Sequence, residues 1–387
     1  MVNKKKINFT IEGTNWARKF FTSSLKNVLD KHFMINLNSN DSYDLNIAFY
    51  RGNIIRNKLR KTILVLNSFR NLNIDLEKEF KEVIIDHIMY PYDWSWGLIS
   101  QDLFNKLKEK NVIVNNNYQL NKDNCNSDLI LFQTHDLIPN SPTEVKYIFK
   151  NNLHKKLIVR FGNTRILNGI EPSVLDILKN CVYIIATNKK LYKLGRQLNE
   201  HVSLIPNGLD LNKWVLLNKK FNQNPVIGFV GNVSNSLYLK YKGYDILSSA
   251  VQKLGLNLIS ARFGSNQIQH DRMQEEFYSK IDILVHPTSG EGCSNTIMEA
   301  LASGIPVITT RLAGFHGEFL EDKKNVIFIE KTEKGIIDGI NLLKDDPGLM
   351  NSLKLNGRKF AYKFHDIDYI ANRYKKVIDR SLELSKI

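Results

Sequence analysis

The chain has 387 residues, 43% hydrophobic and 24% charged, with 54 Lys and Arg against 39 Asp and Glu for a formal net charge of +15. That length exceeds one ordinary core and predicts two domains, and the lack of an apolar run of about 18 residues excludes a membrane-spanning helix. A surface this basic attracts nucleotides and anionic lipid, which makes an anionic membrane surface a candidate partner; the basic runs "NKKK" and "RNKLRK" are short, which weighs against nucleic acid.

The first residues, "MVNKKK", lack the apolar stretch of a secretory signal, so a cytoplasmic location is expected. "KINFTI" (6–11) then reads as a strand, and 15–33 carries apolar residues at helical spacing. "YDLNIAFY", "KTILVLN" and "EVIIDHIMY" read as strands and "GLISQDLFNKLKEK" as a helix. "DLILFQTH", "KKLIVRF" and "CVYIIAT" are further strands with helices between. This alternation is that of a parallel sheet covered on both faces. It breaks at 205–225, "IPNGLDLNKWVLLNKKFNQNP", which has turn signals at both ends and reads as a connection. It then restarts: strand "VIGFVG", helix "YDILSSAVQKLG", strand "LNLISARFG", helix 272–281, strand "DILVHP", a loop and helix, strand "NVIFIE". An amphipathic helix, 366–387, ends the chain. The fold class is therefore α/β with two doubly wound sheets, whose ligands sit at the carboxyl ends of the strands.

The stretch "HPTSGEGCSNTIMEALASGIPVITT" (286–310) is the most informative. A strand ends at Pro287 and a glycine-rich loop follows. Ser294 or Asn295 can cap the next helix, and Gly304 with Pro306 stops it. The free N–H groups and partial positive charge of the helix's first turn suit a phosphate. Ile297, Met298 and Leu301 define its buried stripe, which leaves Glu299 to one side, and Glu291 projects from the loop. A solvated helix charge and a loop charge are the plain alternatives. Two carboxylates flanking an anion site, however, match the ribose, diphosphate and sugar of a nucleotide sugar.

Glu291, seven residues, Glu299 and "ALASGIPVITT" resemble the signature of retaining GT-B glycosyltransferases of glycosyltransferase family 4. "IPNGLD", "FVGNVSNSLYLKYKGYDIL", "EEFYSKIDILVHPTSGEG" and "LNGRKFAYKFHDIDYIANRY" are similar to further family segments. The resemblance implies a GT-B fold of two facing Rossmann-like domains. Residues 1–205 would be the acceptor side, with the helix at about 366–387 packing back on it, and 206–365 would bind the nucleotide sugar. It implies that Glu299 holds the ribose, Glu291 the donor sugar, Lys242 a phosphate, and the backbone of Cys293, Ser294 and Asn295 the diphosphate, with Gly292 among the donor-binding residues. His135, at the end of "DLILFQTHD", would lie near the reacting carbon. Gly13 would allow close approach of a substrate. The family commonly has Arg where this chain has Asn232, so Lys240 or Arg262 would supply the second cation.

Other signals are weak. No P-loop, no H-E-x-x-H and no dinucleotide fingerprint occurs. The cysteines Cys125, Cys181 and Cys293 form no C-x-x-C pair, against a disulfide framework or structural zinc. The acids of "DID" (366–368) read as a helix start, so neither metal nor cofactor is expected. Tyr92, Trp94 and Trp96 read as a loop able to stack on sugars or to pack in the core. The expected function is transfer of a sugar from a nucleotide-diphospho-sugar donor to a saccharide or lipid-linked acceptor. This would be work in the cytoplasm or at the inner membrane face. A GT-B epimerase or phosphorylase, or a non-catalytic sugar- or nucleic-acid-binding protein, is the alternative.

Overall fold

The computed structural model describes residues 5–11, 33–37, 45–49, 82–89, 95–117, 120, 126–138, 141–220, 222–263, 265–311 and 320–386. The chain divides into two units, residues 1–83 with 109–111 and residues 84–108 with 112–387. In the first, β1 (Lys5–Ile11) pairs in parallel with both β2 (Phe33–Leu37) and β3 (Leu45–Phe49). Phe33, read from the sequence as the end of a helix, opens β2. The expected strand 61–67, Gly13, Tyr92 and Trp94 lie outside the described residues. Trp96, expected in a loop, belongs to the helix Ser95–Lys108.

The second unit contains two sheets. One is built from β4 (Val83–Ile88), β5 (Val112–Asn117), β6 (Leu129–Phe132), β7 (Leu157–Phe161), β8 (Tyr183–Ala186) and β9 (Val202–Leu204), in the order β5-β4-β6-β7-β8-β9. The other is built from β10 (Ile227–Asn232), β11 (Leu258–Phe263), β12 (Ile283–His286), β13 (Val307–Thr310) and β14 (Ile327–Ile329), all parallel, in the order β11-β10-β12-β13-β14. Central strands β6, β12 and β13 are buried at every residue, as the continuous apolar runs of a sheet covered on both faces require. Along β12, Leu284 packs with Ile297 and Leu301 on one face, and Val285 with Phe229 and Ile308 on the other.

The strand orders fix where a ligand can enter. β10 has β11 on one side and β12 on the other, so winding reverses there and a crevice opens at the carboxyl ends of β10 and β12. β4 stands likewise between β5 and β6 in the six-stranded sheet. Both expected sites follow these strand ends: Lys242 and Glu291 after β10 and β12, His135 after β6.

Several elements depart from the sequence pattern. The stretch between the expected strand "VIGFVG" and the expected helix "YDILSSAVQKLG" holds a further, seven-residue helix, Ser236–Lys242, capped by Asn235. Residues 272–281, expected as one helix, form a turn at His270–Arg272, a single helical turn Met273–Glu276 and another turn at Tyr278–Lys280. The neighbouring rings of Phe277 and Tyr278 are both fully buried, and a straight helix would separate them by about 100°. The last helix, Ile367–Leu384, starts where the acids put it. Asp366 accepts from the Tyr369 N–H at 2.9 Å, and Asp368 pairs with Lys106 at 3.1 Å. This helix packs on the helix Ser95–Lys108 and on β6. No helix among the described residues is long and apolar enough to cross a membrane.

Candidate functional site

The loop between β12 and the helix Asn295–Ala302 carries the site. Ser294 caps that helix, its hydroxyl accepting from the Ile297 N–H at 3.4 Å, and Gly304 ends it at φ 72°. Glu291 is joined to Lys242, 49 residues earlier, in a direct ion pair whose side chains are each 18% exposed. His286, the last residue of β12, places Nε2 at 3.3 Å from the same carboxylate oxygen and 3.4 Å from the Ser294 hydroxyl. Among the described residues its Nδ1 has no hydrogen-bond partner. The geometry fits a neutral imidazole with its proton on Nε2. Burial lowers the His286 pKa, outweighing the pull of Glu291. Burial alone would raise the Glu291 pKa, but the charge of Lys242 and the His286 contact hold it well below the usual carboxylate range. The sequence reading put Lys242 on phosphate and Glu291 on sugar as separate contacts. The structure unites them, because two largely buried opposite charges neutralise each other.

The start of the helix is fixed by the 205–225 connection. Asn207 donates from Nδ2 to the Cys293 carbonyl at 3.1 Å and to Asn295 Oδ1 at 2.6 Å, and its N–H points to Cys293 Sγ at 3.3 Å. Arg160, near the end of β7, donates to Asn207 Oδ1, and His365 Nδ1 donates to the Asn207 carbonyl at 2.9 Å. The carbonyl and thiol of Cys293 and the side chain of Asn295 are therefore occupied within the protein, which leaves their N–H groups as the part that can meet an anion. Burial pushes the Cys293 thiol up to about 12, so it is no nucleophile at neutral pH. Gly292 also differs from expectation. A Cβ there would lie 1.9 Å from the Gly162 carbonyl oxygen, and its own carbonyl accepts from Asn188 at 3.0 Å. Gly292 serves the contact of this loop with the ends of β7 and β8.

Glu299 is 3% exposed. It does not look freely into solvent: His270 Nε2 lies 2.9 Å from Oε1, and the Tyr278 hydroxyl donates to Oε2 at 2.9 Å. His135 is buried after β6, its Nε2 2.9 Å from Asp136. Asn163 bridges Asp136 at 2.5 Å and Thr134 at 3.2 Å, and it follows Gly162, so a short chain of contacts links His135 to the Gly292 loop.

The cation candidates separate cleanly. Lys240 is exposed, two residues and about 200° round the helix from Lys242, so it does not join the cluster. Arg262 stands opposite Gly231 in the β10–β11 register, with its guanidinium 5.2 Å over the Tyr244 ring. Its Nε is buried without a partner among the described residues. Asn232, at the end of β10, accepts from the Ser234 N–H at 2.9 Å, which spends its side chain on a turn. Gly13 lies outside the described residues. No group of three or more His, Cys, Asp or Glu among the described residues is placed to hold a metal ion. Sequence reasoning missed His286, His270, Tyr278, Asn207 and Arg160. All but His270 stood inside quoted segments, but nothing local marked them as site residues.

A family model described as Glycosyl transferases group 1 matches residues 257–360, from β11 into the helix Pro347–His365. The capsular polysaccharide biosynthesis glycosyltransferase CapM of Staphylococcus aureus is 27% identical over 180 residues, 40% of this chain and 47% of CapM, about half that protein's length. The uncharacterized glycosyltransferase MJ1178 of Methanocaldococcus jannaschii is 23% identical over 345 residues, 73% of this chain and 94% of that protein. Two crystal structures of Anabaena Alr3699/HepE superpose over 77% of this chain and 99% of theirs. The complex with UDP has a TM-score of 0.57 at 15% identity, and the complex with UDP and glucose 0.58 at 16%. The chain is thus similar to group 1 glycosyltransferases over residues 257–360, and its fold is GT-B, two parallel-sheet Rossmann-like domains.

Proposed function

We propose that the protein moves a sugar from a nucleotide-diphospho-sugar to a hydroxyl acceptor with retention of configuration, as a family 4 enzyme. The observation that carries this reading is the pair Glu291 and Glu299 on either side of a capped helix start, at the crevice between β10 and β12. Glu299 holds the ribose hydroxyls and Glu291 the donor sugar. The N–H groups at the helix start, Lys242 and Arg262 stabilise the charge that develops on the departing diphosphate. Lys242 turns part of its charge from Glu291 to phosphate as that charge grows. His135 orients the sugar, and the acceptor hydroxyl attacks from the leaving-group side, giving its proton to the departing phosphate oxygen. No metal or cofactor is required. The nucleotide half is 206–365 and the acceptor half 1–205, and their closure excludes water. The UDP complexes of HepE support a nucleoside diphosphate as the leaving group, and the name of CapM supports an acceptor in polysaccharide synthesis.

Calorimetry with UDP and GDP tests it. Glu299→Ala is expected to weaken the better-bound nucleotide by about 1–3 kcal/mol, the cost of losing hydrogen bonds to a charged group. Unchanged affinity would remove Glu299 from the site, and an epimer formed from donor alone would replace transfer by epimerisation.

A further inference from the structure

The Glu299 carboxylate is gripped on both oxygens by groups from outside its own helix. His270 and Tyr278 come from the segment between β11 and β12, and each engages a different oxygen at 2.9 Å. The Tyr278 hydroxyl also reaches the Thr296 carbonyl at 3.3 Å. Behind them stands Trp214 of the connection, whose ring meets the His270 ring edge-on at 5.5 Å and the Tyr278 ring edge-on at 5.5 Å. Tyr278 and Trp214 are buried, while the His270 side chain keeps 17% exposure. Tyrosine, histidine and tryptophan thus form a frame with the carboxylate at its centre.

A glutamate carboxylate turns easily about its last torsion, whose energy profile is broad. One donor on each oxygen fixes the plane. Each oxygen has two lone-pair sites, so one on each remains for a ligand hydroxyl, with the carboxylate plane set by the frame. That is the pattern for two neighbouring hydroxyls. The frame is electrostatically consistent. Burial and the charge of Glu299 raise the Tyr278 pKa far above its ordinary value, so the phenol stays a donor. Burial lowers the His270 pKa, but the hydrogen bond and charge of Glu299, with Asp102, outweigh both that and Lys213, and the net shift is upward. Both the imidazolium and the neutral Nε2–H tautomer donate to Oε1, so the grip does not depend on the charge.

We propose that His270 is a positioning residue that fixes the plane of the Glu299 carboxylate for the 2′- and 3′-hydroxyls of a ribonucleotide, and so sets discrimination against 2′-deoxyribose. This rests on Glu299 being the ribose carboxylate. His270 reaches the ligand only through Glu299. With the carboxylate free to turn, one hydroxyl bond is lost while diphosphate contacts persist.

The test is calorimetry with the better-bound of UDP and GDP against its 2′-deoxy analogue. The wild type is expected to prefer the ribonucleotide by about tenfold, the loss of one hydrogen bond to a charged group. His270→Ala is expected to erase most of that preference by weakening the ribonucleotide alone. His270→Gln, whose amide can occupy the place of Nε2, is expected to restore it. Tyr278→Phe, which deletes one hydroxyl and keeps the ring, gives an independent arm and is expected to narrow the preference too. Equal weakening of both nucleotides by His270→Ala, or no weakening, overturns the positioning role while leaving Glu299 in place. A wild type that does not distinguish the two nucleotides overturns both the role and the ribose reading.

Discussion

Lys242 and Glu291 illustrate how one pair can serve stability and chemistry together. Removing Lys242 leaves a mostly buried carboxylate that, among the described residues, faces His286 and Thr288, so its pKa climbs back towards and above the ordinary range. Lys242→Ala is therefore expected to cost stability of about 1–3 kcal/mol, less than a fully buried pair because each partner keeps some exposure. Turnover is expected to fall roughly 100-fold, because a preorganised charge on the leaving group is removed. Donor hydrolysis and thermal unfolding measured on the same preparation check this; full turnover with reduced stability would make the pair purely structural. Neither side of the pair was readable as a pair. The sequence supplied a lysine before a glycine and a glutamate in a loop, and 49 residues of chain separate them. His270 and Glu299, 29 apart, and Asn207 and Asn295, 88 apart, were hidden for the same reason: such contacts are tertiary and leave no local period.

The loop and helix after β12 were legible because their signals are local. An apolar strand, a serine cap, a stripe at helical spacing and a glycine stop lie within 25 residues of sequence and each has a direct physical cause. The segment 270–281 was not legible, because burial of Phe277 and Tyr278 overrides a helical pattern that the local residues do support. The short helix Ser236–Lys242 was missed because Asn-rich sequence before it reads as loop, although Asn235 is its cap. Gly292 is the position where the loop touches the opposite sheet. Gly292→Ala drives a methyl group into the backbone carbonyl of Gly162, an atom that cannot swing aside. We expect the loop to lift, with a cost of about 1–3 kcal/mol and a higher donor KM. A variant with wild-type donor KM and stability would show that this contact does not shape the site.

Two parallel sheets, each with a reversal of winding, put both sets of candidate residues at strand ends, and the alternation of strands and helices was enough to anticipate that arrangement. The junction between the sheets adds a pH dependence. His87 hydrogen-bonds to Asn116 at 3.0 Å and His365 to the Asn207 carbonyl, and burial lowers both pKa values to about 4. An unfolded histidine takes its proton near pH 6.5, so between 6.5 and about 4 the unfolded chain binds more protons than the fold. Stability is thus present above about pH 6.5 and falls as the pH drops towards 4, by roughly 3 kcal/mol per histidine. Denaturant melts across that range are expected to show a steep loss; a flat profile would mean the two imidazoles are not buried neutral. The glycosyltransferase reading itself is tested most directly by a crystal structure with bound UDP or GDP. It should place the diphosphate on the N–H groups that open the helix Asn295–Ala302, the ribose hydroxyls on Glu299, and Lys242 and Glu291 on the phosphate and sugar side. A nucleotide seated away from that helix start, with Glu299 touching no ligand, would contradict it.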